Sequence, residues 1–156
     1  MTLTLRPMNK DEFSAWYAGQ FVGYEEQLTE FARMPSDAAR RKAKADLSSL
    51  LGERSLETEG HSIYVLDDEG KCVGDLWVHE QERAGERFLW IYDVTVDPAQ
   101  RGRGYGRQAM LLAEEEARRR GLAAVRLNVF GGNSIARSLY GSLGYSEDAV
   151  WMSKHV

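Results

Sequence analysis

The 156-residue chain has a single cysteine, Cys72, so it can form neither an internal disulfide nor a CxxC pair and fits a reducing compartment. No apolar run approaches a membrane span, and no charged segment followed by an apolar stretch opens the sequence. A cytoplasmic protein with no membrane partner is expected. An excess of positive charge is also lacking, with 20 Lys and Arg against 24 Asp and Glu. The net charge of −4 argues against a nucleic-acid ligand, because non-specific binding to a polyanion rests on cationic surface. An RNA-recognition aromatic motif is missing too. The three histidines, His61, His79 and His155, are dispersed without ligand spacing, so no metal site is expected.

What is present describes an ordinary globular domain. Hydrophobic residues at 43% and charged residues at 28% suit one soluble domain over residues 1–156, with enough chain to bury a core. Thr2 to Met8 alternates as a strand, and Asn9 or Asp11 can cap a helix through Phe31. Met34-Pro35-Ser36-Asp37 breaks that helix and starts a second, through Leu51. "SIYVLDDEGKCVGDLWVHE" reads as a hairpin around Asp-Asp-Glu-Gly.

"FLWIYDVTV", Phe88 to Val96, is apolar on both faces, as a central buried strand requires, and Asp97-Pro98 ends it. Tyr105 to Arg120 forms the clearest helix. Glu114, Glu115 and Glu116 stand four residues before Arg118, Arg119 and Arg120, and Gly121 supplies the stop. "AAVRLNVF" is a further strand and "NSIARSLYGSLG" a short helix. "AVWMSKHV", Ala149 to Val156, finishes as a strand. The whole is an α/β fold, a mixed sheet with flanking helices.

One stretch stands apart. "DPAQRGRGYGRQAM" sets Gly102, Gly104 and Gly106 among Arg101, Arg103 and Arg107, between a strand and a helix. A Walker A loop would need a lysine and Ser/Thr after Gly106, and neither is there. Gly104-x-Gly106-x-x-Ala109 fits a dinucleotide fingerprint literally, but no acidic residue closes the next strand to hold a ribose. The third reading is an anion site, with glycines baring consecutive N–H groups at a helix N-terminus.

Arg101-x-x-Gly104-x-Gly106 after "VTVDPAQ" resembles the coenzyme A pyrophosphate loop of the GNAT acetyltransferase superfamily. "NSIARSLYGSLGY", Asn133 to Tyr145, is similar to a second segment of that family, placed after the next strand as the family places it. The resemblance implies the GNAT acyl-CoA N-acyltransferase fold, with a mostly antiparallel central sheet, and acetyl-CoA as donor. It implies backbone contacts to the pantetheine arm from Val94 and Val96. Gly102, Arg103, Gly104, Tyr105, Gly106 and Arg107, with Arg101, would meet the pyrophosphate.

It also implies that Tyr140 protonates the departing thiolate, although Tyr140 lies equally on an apolar stripe where a core tyrosine belongs. Thiol and phenol pKa values of about 8.5 and 10 are close enough for that transfer. Asn133 is either a helix cap or a cofactor contact as well. An acceptor ammonium is almost wholly protonated at pH 7, so a base is needed. Asn128 stands where some members carry a glutamate. Asp93, an acid inside an apolar run, is the candidate base, with a carboxylate satisfied by bulge amides as the alternative. Glu80 is second.

Acceptor specificity is expected from the first two helices, with Trp16, Tyr17, Tyr24 and Glu25, and from Trp90 and Tyr92 on the sheet. Cys72 is expected to pack within its strand, since direct transfer needs no acyl-enzyme. The reading is an acetyl-CoA-dependent N-acetyltransferase acting on a small-molecule or peptide amine. A non-catalytic acyl-CoA sensor on the same fold is the alternative. The acceptor, the acyl length and the oligomeric state, a homodimer included, stay open.

Overall fold

The computed structural model describes residues 2–52 and 56–156. Its elements are β1 (Leu3–Pro7), α1 (Lys10–Glu30), α2 (Ser36–Leu51), β2 (His61–Asp68), β3 (Lys71–Arg83), β4 (Glu86–Val96), α3 (Tyr105–Arg119), β5 (Ala124–Leu127) and α4 (Ser134–Ser142). A single 3₁₀ turn, Pro98–Gln100, follows β4, where Pro98 cannot donate to a ladder. The strands lie in chain order in one sheet. β1 to β4 are antiparallel, and β4 pairs with β5 in parallel.

The sheet is covered on both faces. Leu76 and Val78 point to one side, where Leu89, Ile91 and the α3 residues Ala109, Met110 and Ala113 complete a core. Trp77, between them in sequence, points to the other side and packs with Ile63, Phe13, Trp16, Leu47 and Leu51 of the α1–α2 layer. The period of two along β3 decides this division. Asn9, not Asp11, caps α1: its side chain accepts from the Glu12 N–H, and Glu12 accepts from the Asn9 N–H in return.

The β4 ladder carries a bulge. Trp77 is opposite Asp93 and Val78 opposite Ile91, so Tyr92 is the extra residue. Ile91 and Val94 both belong to the α3 side, which leaves Tyr92 and Asp93 together on the α1–α2 side. Strict alternation would have turned one of them away.

Four expectations are corrected. β5 ends at Leu127 rather than Phe130, because pairing with β4 stops at Ile91↔Leu127, where the bulge takes β4 away; Val129 is exposed. Residues 149–156 form no strand, and all are exposed. Arg119 bonds Glu116 at i,i+3 rather than Glu115, so two of the three expected i,i+4 pairs form, Glu114–Arg118 and Glu116–Arg120. Cys72 is exposed rather than packed, its Sγ 3.7 Å from the Gly74 carbonyl.

Candidate active site

Asp93 does not stand alone. Asp75, on the neighbouring strand, faces the same layer, and the two carboxyl groups hydrogen-bond each other, which requires one proton between them. Trp16 Nε1 donates to Asp75 Oδ1 at 3.0 Å. Gln20 Nε2 donates to Asp93 Oδ2 at 2.9 Å and reaches Asp75 Oδ1 at 3.4 Å. Thr95 Oγ1 donates to Asp93 Oδ2 at 2.7 Å. Burial, and then the charge of Asp93, push the Asp75 carboxyl up to about 7. Asp93 is raised too, by burial, while Gln20, Thr95, Asp75 and the Val94 amide favour its charged form. The pair therefore ionises in two steps, the charge formed first opposing the second.

The open end of β4 lies beside this pair. The Asp97 N–H donates to the Val73 carbonyl on β3. By the alternation of an antiparallel ladder, Val96 and Val94 turn their N–H and C=O groups the other way, to the edge that β5 has left. Arg101 Nε donates to the Val96 carbonyl at 3.1 Å.

The glycine loop ends at the N-terminus of α3. Gly102 has φ 75°, and Gly104, the N-cap, has φ 88°, a region costly for any residue with a Cβ. No side chain caps the helix. Its first internal bond runs from the Gln108 N–H to the Gly104 carbonyl, so the N–H groups of Tyr105, Gly106 and Arg107 have no partner within the helix. Arg103 is exposed. The Tyr105 ring is buried and its hydroxyl donates to Asp68 Oδ2 at 2.5 Å, so only its backbone faces the loop's open side. Arg107 Nη2 donates to Ser142 Oγ, tying α3 to α4.

From α4, Tyr140 packs against the α3-side core and against Tyr145, ring centroids 5.9 Å apart. Burial first, and the negative field of Asp93 second, raise its phenol above the usual range, so Tyr140 and Asp93 sense each other. Asn133 caps α4, its Oδ1 accepting from the Ala136 N–H.

Residues 11–145 match the acetyltransferase (GNAT) family. The chain belongs to that family. It is 33% identical over 155 residues to YycN of Bacillus subtilis, described as an uncharacterised N-acetyltransferase, with 99% of each chain covered. YdgE of the same organism, described likewise, is 24% identical over 156 residues, covering 100% of this chain and 99% of its own. The crystal structure of YycN superposes with a TM-score of 0.92 at 31% identity, covering 99% of both chains. The protein is an N-acetyltransferase of the GNAT type.

On this GNAT frame the other sequence candidates divide. Trp90 and Tyr92 pack edge to face, 6.3 Å apart, with Tyr92 in the α1–α2 layer above Trp77. The Tyr24 hydroxyl donates to Asp46 at 2.8 Å and Glu25 pairs with Arg40 at 3.5 Å, so both hold α1 to α2. Glu80 is engaged by Arg87 and Arg120 at the far end of β3. His61 and His79 are register partners rather than dispersed, with rings 4.2 Å apart. The Trp77 indole donates to His61 Nδ1, and burial with the neighbouring His79 lowers His61 to about 4. Among the described residues no cluster of three His, Cys, Asp or Glu suits a metal, and no helix is long and apolar enough to cross a membrane.

Sequence reasoning missed Asp75 and Gln20. Asp75 carries the same signal that singled out Asp93, an acid inside an apolar strand ("VGDLWV"). Gln20 had no signal, being one polar residue in a mixed helix.

Proposed function

We propose that the chain moves the acetyl group of acetyl-CoA to a primary amine of a small molecule or peptide by direct attack on the thioester. The observation that carries this reading is the departure of β5 from β4 after Ile91. That one event leaves a strand edge unpaired beside an uncapped helix N-terminus and a buried carboxyl pair.

Each part has a role. The N–H groups of Tyr105, Gly106 and Arg107, with the helix dipole, hold the donor's pyrophosphate, helped by Gly102, Gly104 and the charges of Arg101 and Arg103. The pantetheine amides add to the edge of β4 as a further strand would, at Val94 and at the N–H of Val96, whose carbonyl Arg101 already occupies. An N–H near Val94 polarises the thioester carbonyl as charge develops on it. Asp93 takes the ammonium proton, directly or through water, with Asp75 as the neutral partner that keeps it charged. The amine nitrogen then bonds to the carbonyl carbon and sheds its second proton to water as the amide forms. The C–S bond breaks, and the Tyr140 hydroxyl gives its proton to the thiolate, to be reprotonated from solvent. Trp90 and Tyr92 form the acceptor wall nearest Asp93, and Tyr24 and Glu25 set the α1–α2 spacing behind it. Asn133 serves as the cap of α4 and as a donor contact.

Acetyl-CoA turnover, followed by free thiol release against a panel of amines, peptides and aminoglycosides, tests the reading. Calorimetric binding of acetyl-CoA with no thiol release on any acceptor would make the chain a sensor. No binding at all would remove the donor assignment.

A further inference from the structure

The two carboxyl groups stand between two different openings. Asp93 is on β4, whose far edge β5 has left, and Asp75 is one strand further in, on β3. On the Asp75 side lies a cavity of about 190 Å³. Val65, Trp16 and Asp75 line its inner end, Cys72 its exposed mouth, and Glu12 and Asp97 stand between. Neither the acceptor wall of Trp90 and Tyr92 nor the glycine loop borders it. The cavity is roomy and carries three carboxyl groups, the conditions under which a cavity holds water. The Cys72 thiol senses the same acids: burial raises it first, and Asp97, Asp75 and Glu12 add to the rise. A polar path therefore reaches from the surface to the carboxyl pair.

The proposed reaction has one proton to dispose of in every turnover. The amine nitrogen loses two protons and the thiolate gains one, so one net proton must reach bulk water. Asp93 receives it while acceptor and donor cover the open edge of β4. Trp16 and the Gln20 amide, which also touch the pair, only donate there. The hydrogen bond between the carboxyl groups leads the other way, to Asp75.

We propose that Asp75 and this cavity are the proton exit of the acetyl transfer. Asp75 releases a proton to the cavity water and takes the one that Asp93 has accepted from the ammonium. That exchange returns Asp93 to its carboxylate, and the released proton leaves past Glu12, Asp97 and Cys72. The inference rests on Asp93 as the base of the proposed reaction.

Cys72 is the single thiol of the chain, so the mouth can be plugged on the folded protein. Benzyl methanethiosulfonate should attach one group, checked by mass, and excess reagent is removed before assay. Followed by loss of thioester absorbance, kcat should fall by about tenfold or more, since the base is no longer regenerated quickly. The solvent deuterium isotope effect on kcat should rise, and acetyl-CoA affinity should hold. The methyl reagent should leave most of the rate, and dithiothreitol should restore the benzyl-blocked protein. Cys72→Ser should be indifferent to both reagents, and Cys72→Trp supplies the same plug without labelling. Unchanged kcat and isotope effect with the benzyl group and in Cys72→Trp would overturn the exit and leave the transferase reading standing. So would equal losses with methyl and benzyl groups, or a loss that leaves the isotope effect unmoved. A parent chain without turnover, or full activity in Asp93→Asn, would overturn that reading and the exit with it.

Discussion

Asp75 and Asp93, on adjacent antiparallel strands, hydrogen-bond each other and share one Gln20 amide. Two carboxyl groups so placed cannot both ionise cheaply, and the pair becomes a proton store set beside an open strand edge.

The first prediction concerns that store and the rate. Replacing Asp75 by Leu, which cannot donate, removes the hydrogen bond that favours the charged form of Asp93, so Asp93 should ionise at higher pH. The acidic limb of kcat/KM should move up in pH. A limb that stays in place would show that Asp93 is not the group whose ionisation limits the reaction.

The same pair should shape stability. The Asp75 carboxyl is raised from 3.8 to about 7 in the fold, so the folded state binds the extra proton between those values. Its contribution is complete below about 4 and lost as pH rises through about 7. His61, lowered to about 4, acts in the opposite sense over much of this window. The sign is therefore read by difference: the Tm of the Asp75→Asn variant minus that of the parent should grow from pH 4 to pH 7. A constant difference would contradict the raised carboxyl.

Tyr140→Phe removes one oxygen and keeps the ring against Tyr145. Tm should hardly move, acetyl-CoA affinity should hold, and kcat should fall by roughly 100-fold or more, the scale of general acid catalysis. Unchanged kcat, with chemistry shown to limit the rate, would leave Tyr140 a core residue.

Gly104→Val places a β-branched side chain at φ 88°, on the N-cap whose neighbours bare their N–H groups. Calorimetry should show acetyl-CoA affinity weakened by about tenfold or more in a protein that still folds. Full affinity in that folded protein would dismiss the loop as the pyrophosphate site.

Gly74→Ala probes the strands that hold the carboxyl pair. A Cβ there would lie 2.0 Å from the Thr95 carbonyl oxygen, backbone that cannot rotate aside. β4 must shift next to Asp75 and Thr95, at a cost on the order of 1–3 kcal/mol, as overpacking usually brings. Denaturant titration should show that loss, and activity should fall with it. Parent-like stability would mean that the β3–β4 spacing at this point is looser than the structure has it.

Much of this was legible in the chain itself. Periodicity, breakers and caps located the elements from β1 to α4, because those signals are local and each acts within a few residues of its cause. The glycine–arginine loop and the Asn133–Tyr145 segment indicated the family, since close backbone approach and helix entry restrict residue type at the position itself. Asp93 was conspicuous because an acid in an apolar strand is costly wherever it points.

Tertiary structure alone decided the rest. Whether Asp93 faces α1 or α3 turns on one bulge at Tyr92, which depends on register with β3 and leaves no mark in β4's own sequence. The partnership of Asp75 with Asp93 and Gln20, and the meeting of His61 with His79, join residues far apart in the chain. The strand character of residues 149–156 is local and readable; whether they form a strand depends on an edge to pair with. Local physics sets what a segment can become, and long-range pairing, which no single segment encodes, decides which neighbours and which face it receives.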